Sequence, residues 1–419
     1  MISSYFLGVD FGTSGARAIV INHEAEIQAQ VSLRNIERST KAWKAALFTL
    51  LQEIPYSIRQ NIRAVVINGT SSTVLICTIA GEPLDVPIWY NDDRGKVVLE
   101  ILKTIAPANH PVISATSSLA KLVWWQQQQV SAKVPLYFLH QADWLSFLLH
   151  GKLGISDYHN ALKLGYDVER LCYPDWLLNQ AVPFQLPHVL APGTPIAPVQ
   201  PRIAVQFELP SDCMICAGTT DSIAAFLASE AKEPGDAATS LGSTLVLKLV
   251  SQTRIEDARY GIYSHRLGNL WLAGGASNTG GAVLRQFFSD ADLQSLSAQI
   301  QPEQASPLTY YPLLKPGERF PINDANLQPC MEPRPSSDIE FLHGLLESMA
   351  WIERQGYQQL QNLGASPLKQ IYTAGGGARN AAWTAIRARL LQVPVYASAQ
   401  MEAAYGSAIL ARSSTYGVV

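Results

Sequence analysis

The stretch Leu7-Gly8-Val9-Asp10-Phe11-Gly12-Thr13-Ser14-Gly15-Ala16-Arg17 places one carboxylate at the end of an apolar run. Apolar residues from Tyr5 to Val9 and from Ala16 to Ile21 predict two strands joined by a tight glycine turn. Glycine lets successive backbone N–H groups point inward and form a nest for an anion. An ordinary hairpin has the same pattern, so this stretch alone leaves a phosphate site and a plain hairpin equally open.

The side chains of this turn suit a nucleotide phosphate and its metal ion. Thr13 and Ser14 offer hydroxyl donors, and Arg17 offers a permanent cation for phosphate oxygens. Asp10 supplies a carboxylate oxygen, which is the kind of ligand that Mg²⁺ takes in proteins. We therefore expect Asp10 to hold Mg²⁺ against phosphates that also contact the backbone at Gly12.

The composition indicates a compact protein that does not act on nucleic acid or at a membrane. Its 419 residues are enough for two or three domains, each with a core of its own. A net charge of −3 gives no basic field for nucleic acid, and no apolar run approaches the roughly 20 residues of a membrane span. Met1-Ile2-Ser3-Ser4 leads directly into the first predicted strand and leaves no room for a signal peptide, so we expect a cytoplasmic location.

The cysteines raise the question of a redox or metal site. Cys213 and Cys216 have the spacing of such a pair, but a zinc site needs a second pair, and Cys77, Cys172 and Cys330 are isolated. The pair lies in an apolar segment that ends in glycine. We interpret both thiols as small core residues, with a redox or metal protein as the weaker alternative.

The first 80 residues predict an alternation of strands and one long helix. Strands are predicted at 5–11, 15–22, 26–34 and 62–69. Apolar residues at helical spacing predict a helix from Lys41 to Gln60, in which Pro55 fits only a kink or a break near the end. Three strands, a helix and a further strand are the opening of the actin-like, ribonuclease-H-like ATPase domain, which at this point is a topological resemblance.

A second polar cluster follows the fourth predicted strand. Pro87-Ile-Trp-Tyr-Asn-Asp-Asp-Arg94 crowds aromatic, amide, carboxylate and arginine side chains into one loop. Carboxylates and amides bind pairs of hydroxyl groups, and an indole face covers the C–H surface of a sugar. A solvated loop with an aromatic anchor is the alternative.

The chain resembles the FGGY family of carbohydrate kinases over most of its length, with seven motifs in the family's order. The matching segments are Asp10-Phe-Gly-Thr-Ser, Ile88-Trp-Tyr-Asn-Asp-Asp-Arg94, Ser156-Asp-Tyr-His-Asn-Ala, Ala217-Gly-Thr-Thr-Asp221-Ser-Ile-Ala-Ala, Ser240-Leu-Gly-Ser-Thr244, Leu314-Lys-Pro-Gly-Glu-Arg319 and Thr373-Ala-Gly-Gly-Gly-Ala-Arg-Asn380. The resemblance implies an ATP-dependent sugar kinase that uses Mg²⁺.

The resemblance also implies an architecture. We expect an α/β fold of two actin-like ATPase domains with ATP in the cleft between them. The expected boundaries are 1–229 for the sugar-binding domain, 230–401 for the nucleotide-binding domain, and 402–419 for a C-terminal helix that packs back on the first domain. The proline-rich segment Pro183 to Pro201 is expected to be an irregular connection.

Individual roles follow from the same resemblance. Asp221 matches the catalytic base, and Asp10 matches the carboxylate that places the metal. The sugar-binding positions are Ser72, Trp89, Asn91, Asp92, Arg94 and Asp221. The nucleotide-binding positions are Gly12, Thr13, Ser14, Arg17, Gly242, Ser243, Thr244, Gly375, Gly376, Gly377, Asn380 and Trp383. For Trp383, stacking on the base and a place in the core are equally open.

The sequence departs from the family around the sugar. Thr70-Ser71-Ser72 stands where xylulose-type members have Gln-Met-His, and the usual Ala-Arg-Gly after Arg319 is missing. Short hydroxyl side chains are closer to ribulose-type members, so we expect a ketopentose substrate, D-ribulose ahead of D-xylulose. Another sugar or polyol, and an actin-like ATPase with weak or no sugar transfer, are the alternatives. The oligomeric state, monomer or homodimer, stays open.

Overall fold

The computed structural model describes residues 4–128, 135–180 and 184–416. Its chain divides into two compact units. The first unit runs to Ala228 and resumes at Glu402, and the second unit runs from Ser229 to Met401.

The first unit contains a six-stranded sheet and smaller sheets beside it. Its strands are β1 (Tyr5–Phe11), β2 (Gly15–Ile21), β3 (Ile27–Arg34), β4 (Ile62–Gly69), β5 (Val74–Cys77), β6 (Leu136–His140), β7 (Ile155–Asp157), β8 (Phe184–Gln185), β9 (His188–Leu190), β10 (Pro195–Pro198) and β11 (Met214–Thr220). Its helices before residue 229 are α1 (Thr40–Glu53), α2 (Tyr56–Arg59), α3 (Leu99–Ile105), α4 (Ser118–Gln127), α5 (Gln141–His150), α6 (Tyr158–Ala161), α7 (Asp175–Leu178), α8 (Pro201–Phe207) and α9 (Asp221–Leu227).

The second unit contains another six-stranded sheet. Its strands are β12 (Asp236–Leu241), β13 (Leu245–Ser251), β14 (Tyr263–Leu267), β15 (Leu270–Ser277), β16 (Gln370–Ala374) and β17 (Val395–Ala397). Its helices are α10 (Gly281–Phe287), α11 (Asp290–Ser297), α12 (Asp338–Asn362) and α13 (Ala381–Leu391). The last helix, α14 (Ala403–Tyr416), belongs to the first unit.

The two large sheets share the topology of five strands, and their sixth strands lie at opposite ends, β10 beside β11 and β14 beside β15. The orders are β10-β11-β4-β1-β2-β3 and β14-β15-β13-β12-β16-β17. In each sheet an antiparallel hairpin (β1 and β2, or β12 and β13) is extended by a third antiparallel strand, and two parallel strands follow on the other side. This is the pattern of the actin-like domain, present twice, so the predicted fold class is confirmed.

Residues of β1 alternate between two packed faces, as the period of a strand requires. Leu7 and Val9 belong to the core cluster that also contains residues of α1 and α5, whereas Phe6 belongs to the cluster that contains Ala404 and Ala408 of α14. The sheet is therefore covered on both sides, which explains why β1 and β4 are almost continuously apolar.

The predicted strands at 5–11, 15–22, 26–34 and 62–69 are confirmed. The predicted helical segment from Lys41 to Gln60 has the break expected at Pro55, because α1 ends at Glu53 and Pro55 caps the short α2. One other expectation needs correction. The segment from residue 184 to Pro201 is not irregular, since it contributes β8, β9 and β10. Pro195 and Pro198 fit there because β10 is the outermost strand of its sheet. Pro183 lies outside the described residues.

Helix α14 packs backbone to backbone against the first unit. A Cβ atom on Gly8 of β1 would lie 1.9 Å from the carbonyl oxygen of Ala404, and one on Gly406 would lie 1.8 Å from the carbonyl oxygen of Ala224 in α9. Both distances are far inside van der Waals contact, so only glycine allows this close packing.

Gly8→Ala is therefore expected to lower the free energy of unfolding by roughly 3 kcal/mol or more, since neither backbone can move without disturbing the sheet. Thermal unfolding of the purified variant measures this. Gly268→Ala is the control, because Gly268 has open space around its Cβ position and a φ of +59°, so the cost there is about 1–2 kcal/mol. Equal losses in both variants would contradict the proposed packing.

Candidate active site

The first glycine turn joins β1 to β2 and is closed by its own backbone. The N–H of Gly12 donates to the carbonyl of Gly15 at 3.0 Å. A Cβ atom on Gly12 would lie 3.6 Å from the carboxylate of Asp10, so this carboxylate lies close to the backbone of the turn. Thr13 and Ser14 are exposed at the tip. The structure thus brings together the carboxylate of Asp10, the backbone of the turn and the hydroxyls of Thr13 and Ser14, which the sequence analysis singled out.

Arg17 has a partner that the sequence analysis missed. It pairs with Asp10 in the hairpin register, and its guanidinium donates to the carboxylate of Glu402. Glu402 follows Arg17 by 385 residues, so no local pattern could have indicated the pair. The charge of Arg17 is therefore shared with a carboxylate in this structure.

The parallel strands of the first sheet bring three polar residues into one row. Asp10 of β1 lies beside Asn68 of β4, and Asn68 lies beside Thr219 of β11. Asp221 follows two residues later as the first residue of α9. The sheet register therefore places the predicted metal ligand and the predicted base at neighbouring strand ends.

Asn68 is a second residue that the sequence analysis missed. It is fully buried, and its side-chain amide donates to the hydroxyl of Ser407 in α14 at 2.8 Å. Its carbonyl oxygen Oδ1 has no hydrogen-bond partner within the described ranges. The available signal was its position, because Asn68 ends a buried strand just as Asp10 does.

The environment of Asp10 favours its protonated form. Burial, followed by the nearby charge of Asp221, raises the pKa of the Asp10 carboxyl from 3.8 to about 7, although Arg17 opposes the change. Its Oδ1 is buried and has no hydrogen-bond partner in the described part of the chain. A buried carboxylate oxygen without a donor, next to a second carboxylate, fits a site for a divalent cation.

Asp221 lies at the N-terminal end of α9. Its Oδ1 accepts a hydrogen bond from the backbone N–H of Ser222 at 2.7 Å. The carboxylate is half-buried rather than enclosed. Backbone N–H groups at the start of a helix carry a partial positive charge, so this is a favourable position for a carboxylate.

The predicted sugar loop is held by contacts within the first unit. Asp92 accepts two hydrogen bonds from the guanidinium of Arg94, at 2.9 and 2.8 Å, and this pair lowers the pKa of the Asp92 carboxyl. The guanidinium of Arg38 lies 4.5 Å from the ring centre of Trp89, whose Nε1 is buried without a partner in the described residues. Asn91 is exposed.

Ser72 lies between β4 and β5, in a segment that contacts the predicted sugar loop through the bond from Tyr90 N–H to the hydroxyl of Thr73 at 3.0 Å. Its side chain is buried, and its hydroxyl has no hydrogen-bond partner among the described residues. The neighbouring hydroxyl of Thr70 is engaged with Thr73 and Gln141. Backbone bonds between Val74 and Ile88 join the two segments, so Ser72 and Trp89 belong to one local structure.

The second unit contains a cavity of about 830 Å³ at the ends of β12 and β16. Its lining includes six predicted nucleotide-binding residues, namely Gly242, Ser243, Gly376, Gly377, Asn380 and Trp383. Five further polar residues line it that the sequence analysis missed, namely Arg285, Asp290, Gln294, Ser297 and Arg379. Thr244 and Gly375 are not part of the lining, and Gly375 packs instead on the backbone of Leu241.

Asn380 and Trp383 also have structural contacts in this unit. Asn380 caps α13, because its Oδ1 accepts from the N–H of Trp383 at 3.0 Å and its amide donates to Ser297 at 2.8 Å. The indole of Trp383 is 2% exposed and packs directly beneath Gly377. These contacts match the interpretation of Trp383 as a core aromatic, while its stacking on a base stays a prediction.

Cys213 and Cys216 are both buried, and burial raises the pKa of the Cys216 thiol to about 11 and that of Cys213 further. A thiol with a raised pKa is a poor nucleophile and a poor metal ligand. Among the described residues no cluster of three or more His, Cys, Asp and Glu side chains is arranged to hold a metal ion, so these thiols belong to no such cluster. Core packing is the role that these observations support.

Comparison with known families identifies the chain. The N-terminal domain model of the FGGY family of carbohydrate kinases matches residues 5–228, and the C-terminal domain model matches residues 237–414. The chain belongs to the FGGY family of carbohydrate kinases.

Similar proteins span nearly the whole chain of this FGGY kinase. A xylulose kinase of Staphylococcus xylosus is 20% identical over 97% of the chain and 90% of its own length, and a gluconokinase of Bacillus subtilis is 20% identical over 99% and 88%. The fold matches a xylulose kinase structure from Rhodospirillum rubrum with a TM-score of 0.84, at 21% identity, covering 98% of this chain and 90% of that one.

Family membership makes this protein an ATP-dependent carbohydrate kinase that acts on a small sugar molecule. Within the described ranges, none of the helices is both long and apolar enough to span a membrane.

The raised pKa of Asp10 gives a testable effect on stability. Because the folded-state pKa lies above the unfolded value of 3.8, the protein loses stability as the pH rises towards 7 and this carboxyl ionises. Asp10→Asn is thus expected to raise the free energy of unfolding at pH 8 by on the order of 2–4 kcal/mol, which raises the midpoint of thermal unfolding. Near pH 4 the substitution is expected to have little effect. Measurements in chelator-treated buffer at both pH values test this. A gain that is equal at both pH values would contradict the assigned cause.

Proposed function

We propose that this FGGY kinase transfers the γ-phosphoryl group of ATP to the terminal hydroxyl of a ketopentose, with D-ribulose preferred to D-xylulose. The observation that carries this proposal is the buried, unpartnered hydroxyl of Ser72 in a wall of short side chains. Such a hydroxyl can bond one sugar hydroxyl, and a sugar with the wrong configuration would leave both groups unpaired.

D-Xylulose is the second candidate. Several similar proteins, from Staphylococcus xylosus and Klebsiella pneumoniae among others, are named xylulose kinases, which supports the ketopentose class. Their identity to this chain is about one fifth, and the chain has Thr70-Ser71-Ser72 where the xylulose type has larger side chains. The wall, rather than the names, is the reason for placing D-ribulose first.

The proposed mechanism gives Asp221 the role of general base. The terminal hydroxyl oxygen forms a bond to the γ-phosphorus, the bond from that phosphorus to the bridging oxygen breaks, and ADP leaves with the electron pair. Asp221 accepts the hydroxyl proton as the new bond forms. Asp221 lies in the first turn of α9, where the partial positive charge of the helix start would interact favourably with a carboxylate.

Phosphate binding is assigned to the two turns that combine glycine with hydroxyl side chains. Thr13 and Ser14 in the first unit, and Gly242 and Ser243 in the second, would donate to phosphate oxygens. Asp10 is proposed to hold Mg²⁺, which would neutralise phosphate charge when bound. Arg17, which shares its charge with Glu402, would bind phosphate more weakly than an unpaired arginine.

Sugar binding is assigned to the loop from Trp89 to Arg94. The Asp92–Arg94 pair presents a fixed carboxylate whose lowered pKa keeps it an acceptor for sugar hydroxyls. The unpartnered Nε1 of Trp89 is a donor for a further hydroxyl. Asn91 is exposed in this structure and is the least supported member of the set.

Asp221→Asn is expected to lower kcat by about 10²–10⁴-fold, the usual contribution of a general base, while the affinity for ATP stays within about twofold. A coupled assay of ADP release with a panel of ketoses and polyols measures kcat, and NMR locates the phosphate on the product. Asp212→Asn is the control and is expected to keep full activity. Asp212 is an exposed carboxylate that pairs with Arg63 and lies just before β11, the strand that leads to Asp221. Near-normal sugar phosphorylation by Asp221→Asn would refute the base, and ADP release without a sugar phosphate in the wild type would favour an ATPase.

Ser72→Ala is expected to reduce the preference for D-ribulose over D-xylulose, expressed as a ratio of kcat/KM values, by about tenfold, because one buried hydrogen bond to sugar is lost. Ser71→Ala, a change of the same size at the neighbouring half-buried position, is the matched control and keeps the wild-type ratio. A wild-type preference for D-xylulose or glycerol would overturn the substrate while leaving the kinase intact.

A further inference from the structure

Lys121 is a fully buried lysine that neither the motifs nor the proposed mechanism accounts for. It lies in α4, and its side chain is 0% exposed. Its Nζ donates to the backbone carbonyl of Ser72 at 2.7 Å and to the backbone carbonyl of Trp89 at 2.6 Å. One ammonium group therefore connects the two segments to which sugar binding is assigned.

The backbone of Ser72 needs such a support. Its φ is +65°, in the left-handed region that a residue with a side chain rarely adopts. This conformation is strained and persists only where surrounding contacts hold it. The bond from Lys121 fixes the carbonyl of Ser72 and with it the position from which the Ser72 hydroxyl projects.

The same face of α4 supports the sugar loop at two other points. Trp124 packs under the guanidinium of Arg94 at 4.6 Å, and the indole N–H of Trp125 donates to Asp85 at 3.1 Å. Residues three and four positions after Lys121 lie on its side of the helix. Helix α4 thus contacts the segment from Asp85 to Arg94 three times, and Lys121 is the contact that also reaches Ser72.

Packing alone does not explain a lysine here. Burial lowers the pKa of Lys121 to about 7, with Lys163 and Arg94 acting in the same direction and Asp92 opposing them. Asp92 is already bonded to Arg94, and no salt bridge to Lys121 is present in the described residues. A methionine of similar length would fill this space without a buried charge, so the two carbonyl contacts are what the lysine adds.

We propose that Lys121 is a positioning residue for the sugar, which holds Ser72 and Trp89 in the mutual arrangement that binds the substrate. The inference rests on the proposed sugar site. It assigns to Lys121 control of sugar affinity, and no part in the phosphoryl transfer itself or in nucleotide binding.

The test is Lys121→Met, assayed with the sugar that the wild-type enzyme phosphorylates fastest in the panel. We expect the KM for that sugar to rise by about 10–100-fold, since two buried carbonyls lose their donor, while the KM for ATP stays within about twofold. Lys103→Met is the matched control, because Lys103 is an exposed lysine paired with Glu100 on α3, and its sugar KM stays at the wild-type value.

A second measurement covers the case in which Lys121→Met folds poorly. Lys121→Gln keeps two N–H donors on a shorter side chain, and we expect its sugar KM to lie between those of wild type and Lys121→Met. A lowered melting temperature with an unchanged sugar KM, or equal losses for sugar and ATP, would show a structural role only and overturn the inference. If the wild-type enzyme phosphorylates no sugar, the proposed function fails and this inference fails with it. If the wild type is active and both variants match it, this inference alone fails.

Discussion

The first unit depends on one constraint, which is the burial of the Asp10 carboxylate where the parallel strands β1, β4 and β11 end side by side. The residue can lie there only because β1, β4 and β11 are in a register that aligns Asp10, Asn68 and Thr219. Its surroundings raise its pKa to about 7, so the ligand-free protein carries a carboxyl that is costly to ionise. The fold therefore favours the neutral form of this carboxyl, and it loses stability when Asp10 ionises.

Helix α14 completes this arrangement from the other end of the chain. It supplies Ser407 to the amide of Asn68, and Glu402, just before it, supplies the partner of Arg17. The glycine at position 8 lets this helix approach the sheet at backbone distance. A change in α14 can therefore alter the surroundings of Asn68 and Arg17 without changing a residue of the turn between β1 and β2.

Local patterns predicted much of the fold, because a strand or a glycine turn can be recognised from a few consecutive residues. The first three strands lie within about a residue of their predicted bounds. Pro55 was correctly seen as a break, but the short strands between Phe184 and Pro198 were not, because two- to four-residue strands have no period to detect.

The site was harder to predict where it depends on distant partners. Asp10 stands out because it follows an apolar run, whereas Asp221 is indicated only by the family resemblance, and both roles stay predictions. The pairing of Arg17 with Glu402, and of Lys121 with two carbonyls, joins segments far apart in sequence. A lysine in an otherwise apolar helix gives no sign of its acceptors. Only the folded chain brings these groups together.

The discontinuity of the first unit has a consequence for synthesis at the ribosome. The apolar residues that α14 covers, such as Phe6, Ile19 and Val66, are made early, whereas Ala404 and Ala408 emerge only after the entire second unit. At about 5–20 residues per second, synthesis of the second unit takes roughly 10–30 s, and α14 does not cover these apolar residues during that time. The first sheet therefore has one uncovered apolar face until α14 has been synthesised.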